Sequence, residues 1–177
     1  MAEEKQKEGY FFIHPSADAD VICGQGTATL EALLKIGEVD AIFAPCGGGG
    51  LVSGCFLAAQ KLSPNALTFA CEPLSANDVA NSLRAGKIVG FDDTPNTIAD
   101  GARTLKTSEI CFAYIKQMVG VLEISEEEIA QWQKKLSEIL EQKIEPTSAL
   151  AIAGAAQILK SRKAAKILVV ISGGNIE

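Results

Sequence analysis

Asp40-Ala41-Ile42-Phe43-Ala44-Pro45-Cys46-Gly47-Gly48-Gly49-Gly50-Leu51 is the stretch that decides the fold. Its first half, Asp40 to Pro45, is a short apolar run with the composition of a strand. Its second half sets four glycines directly before Leu51 to Leu62, a segment rich in small residues that reads as a helix. Without Cβ atoms the backbone there can curl so that successive N–H groups converge, and the helix adds its own free N–H groups and positive dipole end. The product is an anion cradle suited to a phosphate. A merely flexible loop is the competing reading, disfavoured because each glycine costs roughly 1 kcal/mol relative to alanine. A P-loop needs a Lys after the glycines, and a dinucleotide loop needs Gly-x-Gly-x-x-Gly. Neither this loop nor Gly24-Gln25-Gly26 supplies the pattern, so a small phosphorylated cofactor is favoured over a nucleotide.

Outward from this loop, apolar runs alternate with helical stretches. Gly9 to His14, Ala66 to Cys71 and Ile167 to Ile171 read as strands. Asp18 or Asp20 caps a helix running to about Leu34, and Asp78 to Ala85 forms a short helix ending near Gly86. Ser125 to Glu128 has the form of a capping box, and the helix after it carries Ile129, Trp132, Leu136 and Leu140 on one stripe. Thr147 to Leu159 is dominated by alanine and should pack closely on a sheet. Continuous apolar strands separated by helices predict one α/β domain over residues 1–177, a parallel sheet flanked by helices. Lys87 to Thr107 is irregular, which inside a compact domain often marks a site.

The 177 residues, 47% hydrophobic and 21% charged, suffice for one core and exclude disorder. A net charge of −6 offers no cationic field for a nucleic acid. Cys23, Cys46, Cys55, Cys71 and Cys111 lack Cys-x-x-Cys spacing, and His14 is the lone histidine, so no zinc set forms. The cysteines read as small buried residues in a reducing cytosol. The charged N-terminus is not a signal peptide, and no apolar run is long enough to span a membrane, so a cytoplasmic protein is expected.

Ser172-Gly173-Gly174-Asn175 closes the last apolar strand, and in a parallel sheet it should share a rim with the glycines. Gly47-Gly48-Gly49-Gly50-Leu51, Ile98-Ala99-Asp100-Gly101, Glu145-Pro146-Thr147 and Ser172-Gly173-Gly174-Asn175, with Gly24-Gln25-Gly26-Thr27, resemble in order and spacing the fold-type II pyridoxal-phosphate enzymes. The branch they resemble is that of serine/threonine dehydratases (ammonia-lyases) and serine racemase. The resemblance implies that Gly47 to Gly50 and the Leu51 N–H hold the phosphate of pyridoxal 5′-phosphate. It further implies that Ser172 hydrogen-bonds the pyridine nitrogen, that Gly101 lies beside the ring and that Glu145 is a carboxylate near the pocket. Helix initiation explains Glu-Pro-Thr equally well. The implied activity is β-elimination of a small hydroxy amino acid to a 2-oxo acid and ammonia, with amino-acid racemase, or a non-catalytic cofactor-binding remnant, as alternatives.

Glu72 and Asp78 offer hard carboxylate oxygens across one loop. By composition they read as a strand end and a helix cap. The resemblance instead implies a Mg²⁺ or Ca²⁺ site on Glu72, the Ala76 carbonyl and Asp78. His14 is expected to shape a turn, and Glu126 to Glu128 to answer the helix dipole. The family's cofactor lysine lies in a Ser-x-Lys motif well before the glycines, whereas only residues 1–46 precede them here. Ser161-Arg162-Lys163 falls in a basic helix end and is rejected for that role. The resemblance therefore implies the C-terminal part of a large domain, without the N-terminal half and small domain and short at its C-terminal end. A homodimer is expected of the complete enzyme, and a companion chain is expected to supply the rest.

Overall fold

The computed structural model describes residues 2–159 and 166–173. Strands β1 (Ala41–Pro45), β2 (Leu67–Pro73), β3 (Gly120–Ile124) and β4 (Ile167–Val169) form one sheet in the order β3-β2-β1-β4, and every neighbouring pair is parallel. Helices α1 (Ala2–Lys7), α2 (Ala19–Ile36), α3 (Gly50–Leu62), α4 (Asp78–Ala85), α5 (Glu109–Ile115), α6 (Glu126–Leu140) and α7 (Pro146–Leu159) accompany it.

All of β1 is buried because its side chains alternate between two apolar faces. On one face Phe43 stacks on Phe69, ring centroids 5.0 Å apart, beneath Ala149, Leu150 and Ala153 of α7. On the other, Ile42 meets Leu33 of α2 and Ala59 of α3, while Ala44 joins Ile22, Val52 and Cys55. Small residues set how closely these layers approach. A Cβ on Gly154 would lie 2.5 Å from Cys71 Sγ, and one on Gly26 of α2 would lie 2.6 Å from the Gly54 carbonyl oxygen of α3.

Local signals set several of the ends. Asp18 Oδ1 accepts from the amides of Asp20 (2.9 Å) and Val21 (3.3 Å) and so starts α2. Ser125 and Glu128 complete a capping box at α6. Gly86 closes α4 with φ +68°.

Two expectations need correction, and two elements went unread. Gly9 to His14 forms no strand, because no described strand pairs with its backbone. Tyr10, Phe11, Phe12 and Ile13 are 63%, 85%, 46% and 58% exposed. Cys23 is exposed, since the buried stripe of α2 runs through Ile22, Gly26, Thr29 and Leu33 and Cys23 lies one step off it. β3 and α5 are present although the sequence pattern did not announce them. Gly174, Asn175 and the Ser161-Arg162-Lys163 motif lie outside the described residues. Among the described residues, no helix is long and apolar enough to cross a membrane.

Candidate functional site

Parallel strands put all their carboxyl ends on one rim, which is where ligands of open α/β sheets bind. β1 hands over to Cys46 and the glycines on that rim. β4 pairs directly with β1, Ala41 opposite Ile167 and Phe43 opposite Val169, and the Val170 amide still donates to the Phe43 carbonyl at 2.9 Å. This register carries Ser172 to the glycines. Gly47 to Gly50, Leu51, Gly101, Glu145 and Ser172 all line one cavity of about 260 Å³.

The first α3 amide to find a helical partner is that of Ser53, which donates to the Gly49 carbonyl at 3.0 Å. Gly49 is the N-cap, with φ +93° and no side chain to cap with. Among the described residues, the amides of Gly47 through Val52 donate to nothing. Elsewhere the chain fills such positions: Asp18 caps α2, Ser108 caps α5 and Ser125 caps α6. The α3 N-terminus is thus a cluster of free donors at the positive end of a helix, the arrangement that takes an anion.

The glycines also admit close neighbours. A Cβ on Gly47 would lie 2.8 Å from the Gly101 carbonyl oxygen and 3.1 Å from Ala102 Cα. A Cβ on Gly50 would lie 2.9 Å from Ser16 Cα, and the Ser16 side chain also crowds Gly48. Ser16 was not singled out in the sequence. It is held over the loop because His14 Nδ1 accepts from the amides of Ser16 (3.2 Å) and Ala17 (2.9 Å), the turn-shaping role expected of that histidine.

Gly101 is fixed from α7. Its amide donates to Thr147 Oγ1 at 3.0 Å, and the same hydroxyl donates to Asp100 Oδ1 at 3.5 Å. Glu145 does two things at once: its carbonyl accepts from Ser148 as α7 begins, and its carboxylate packs against Gly173, whose φ is +74°. Ser172 is half-buried, and its hydroxyl makes no hydrogen bond among the described residues.

The loop after β2 is of the opposite character. Glu72 is fully buried, and its carboxylate accepts from Val79 (3.3 Å) and Ala80 (2.8 Å), which makes it the cap of α4. Asp78, also buried, accepts from the Thr107 amide at 2.8 Å through Oδ2, while its Oδ1 makes no hydrogen bond among the described residues. Burial pushes the Glu72 carboxyl up to about 8, only partly offset by the Ala80 amide. Burial likewise pushes Asp78 up to about 6, against the Thr107 amide. Ala76 lies buried between them in a short 3-10 turn. Glu72 is the strand end expected, and the α4 amides are capped by its carboxylate rather than by Asp78. A hard cation would need more donors than these two carboxylates, both of which already accept backbone amides. Among the described residues no group of three or more His, Cys, Asp or Glu side chains gathers, so backbone carbonyl or water would have to complete such a set.

Around this rim long-range bonds fix the irregular segment. Glu126 accepts from the Ile98 amide (2.9 Å) and from Ser75 Oγ (2.6 Å), a role beyond the dipole contact read from the sequence. Arg84 pairs with Glu123 at 2.7 Å, and Glu123 also accepts from Asn77.

A family model described as pyridoxal-phosphate dependent enzyme matches residues 1–173. The chain is 41% identical over 172 residues to an L-threo-3-hydroxyaspartate ammonia-lyase of Saccharomyces cerevisiae, covering 97% of this chain and 52% of that protein. It is 40% identical over 179 residues to a serine racemase of Schizosaccharomyces pombe, covering 100% of this chain and 55% of that protein. Among solved structures, a serine racemase of Dictyostelium discoideum superposes with a TM-score of 0.90 at 38% identity, over 99% of this chain and 58% of that one. A threonine deaminase superposes with a TM-score of 0.92 at 39% identity, over 99% of this chain and 59% of that one. The chain thus spans a little over half the length of the relatives it matches.

Proposed function

This chain belongs to the pyridoxal-phosphate dependent enzymes, and from that premise we propose that it is the cofactor-holding part of an ammonia-lyase converting a small 3-hydroxy amino acid to a 2-oxo acid and ammonia. The observation that carries the reading is the run of unpaired amides from Gly47 to Leu51, residues that line one cavity with Ser172. Bound pyridoxal phosphate supplies an electron sink for negative charge developing at the substrate Cα. The residues of this chain bind and tune it. Gly47 to Gly50 and Leu51 receive the phosphate with their N–H groups and the α3 dipole. The Ser172 hydroxyl, which has no hydrogen bond among the described residues, would be available to the ring nitrogen and, unlike a carboxylate, would not strongly favour its protonation. Gly101, pinned by Thr147, would lie beside the ring, and the Glu145 carboxylate packs against Gly173 next to Ser172.

The same proposal gives Glu72, Ala76 and Asp78 a Mg²⁺ or Ca²⁺ ion, supported by the open Asp78 Oδ1. The lysine that anchors the cofactor and the remaining substrate contacts come from outside residues 1–177, in a cytoplasmic homodimer of the complete enzyme. Identity to a serine racemase supports a second reading, amino-acid racemisation.

The test is to mix this chain with a polypeptide carrying the family's Ser-x-Lys half and pyridoxal phosphate, then supply serine, threonine or 3-hydroxyaspartate. Formation of 2-oxo acid and ammonia is expected, with none from this chain alone. Racemised substrate without 2-oxo acid would select the second reading, and neither product would remove both.

A further inference from the structure

Thr107 bonds to both the glycine loop and Asp78. It is buried, its amide donates to Asp78 Oδ2 at 2.8 Å, and its hydroxyl donates to the Gly48 carbonyl oxygen at 3.1 Å. The first bond is short and made to a buried carboxylate, so it holds the residue in place. The second acts on the loop. Every peptide bond in the described chain is trans, and in a trans peptide the carbonyl and the following N–H point in opposite directions. A hydroxyl that holds the Gly48 carbonyl toward the buried side of the loop therefore turns the Gly49 N–H away from it. That amide is among those with no partner among the described residues. Gly49 accepts this peptide orientation because it adopts φ +93°, and a Cβ there would lie 3.3 Å from Thr107 Oγ1.

We infer that Thr107 is a positioning residue for anion binding: by fixing the Gly48–Gly49 peptide plane between Asp78 and the loop, it aims the Gly49 amide at the ligand's phosphate. The inference rests on the reading of this cavity as a phosphate site. Without the hydroxyl, the peptide gains a second orientation that presents the Gly48 carbonyl to the anion, so a donor is lost and a repulsive oxygen replaces it. A plain packing role would weaken all ligands of the cavity alike. A peptide-orienting role weakens only those that carry a phosphate.

The experiment compares wild type, Thr107→Val and Thr107→Ser by titrating pyridoxal 5′-phosphate, inorganic phosphate and unphosphorylated pyridoxal. Val keeps the shape and the amide bond to Asp78 while removing the hydroxyl. Its Kd for both phosphate ligands is expected to rise about tenfold, the loss of one hydrogen bond. Pyridoxal binding should stay within about twofold, and Ser should restore wild-type affinity. A second measurement needs no variant: on titrating wild type with inorganic phosphate, the Gly49 amide should be among the nuclear magnetic resonances that move most. If wild type binds no phosphate ligand, the site reading fails and this inference with it. Phosphate binding that leaves the Gly49 amide unmoved, or that Thr107→Val does not weaken, overturns the role of Thr107 alone.

Discussion

The loop after β1 and the loop after β2 leave the same rim of one sheet, yet they hold unsatisfied groups of opposite kind. After β1 the chain gathers N–H donors and gives them no acceptor among the described residues. After β2 it buries two carboxylates and leaves one oxygen without a donor. The second is unfavourable as it stands, because a buried polar group without a partner costs of order 1–3 kcal/mol, whereas the amides line a cavity that water can enter. The lesson lies in the contrast with α2, α5 and α6, where the chain supplies an ordinary side-chain cap. At the two loops the unsatisfied groups are donors on one side and a carboxylate oxygen on the other, so they would be answered by ligands of opposite charge.

The largest expected effect breaks the acid side of this comparison. Glu72 titrates at about 8 when folded against an ordinary 4.5, so the folded chain holds a proton the unfolded chain has released. Its contribution is complete below about pH 4.5 and is lost as pH rises toward about 8. Asp78, raised to about 6, adds to the loss in the lower part of that window. Urea unfolding should show stability falling by on the order of a few kcal/mol from pH 5 to pH 8. Glu72→Gln keeps an acceptor for the α4 amides and should remove most of that slope. Equal slopes in wild type and variant would mean that the buried acid is not the cause.

A smaller effect breaks the donor side. Gly47→Ala puts a Cβ against the backbone of Gly101 and Ala102 and forces the loop open. Affinity for pyridoxal phosphate should fall about a hundredfold, or about 2.7 kcal/mol, while the melting temperature moves by only a few degrees. Retained affinity would show that the cradle does not need this close approach. The smallest effect sharpens the contrast. Mg²⁺ at tenfold its Kd should stabilise the chain by about 1.4 kcal/mol, more at pH 8 than at pH 6 because protons compete for the same carboxylates. Identical melts in Mg²⁺ and in chelator would leave Glu72 as a helix cap and nothing more.

What could be read beforehand follows the range of each interaction. The glycine run, β1, the Asp18 cap, the Ser125 capping box and the end of α4 at Gly86 depend on neighbouring residues, and the sequence displays them. The cavity residues Gly47 to Gly50, Leu51, Gly101, Glu145 and Ser172 were reached through motif order, and one cavity gathers them. Ser16 and the double use of Thr147 were not legible, because each depends on segments far apart in the chain that meet only in the folded sheet. The same holds for Thr107 and its two partners. β3 was missed because Gly120-Val121-Leu122-Glu123-Ile124 mixes glycine and a charge into an edge strand that is mostly half-buried. Tyr10 to Ile13 misled in the reverse direction. A β-rich composition reports the preference of a segment, and pairing is a property of its neighbours.

The crowding around the glycines has a consequence for how such a loop changes over generations. Gly47 is closed to a side chain by the turn at Gly101, Gly48 and Gly50 by Ser16, and Gly49 by its left-handed backbone and by Cys111. No single substitution at any of them is accommodated without movement in a segment elsewhere in the chain. The loop should therefore drift as a block or not at all, and descendants that lose the ligand should lose these glycines together with Ser16 and Gly101 rather than one at a time.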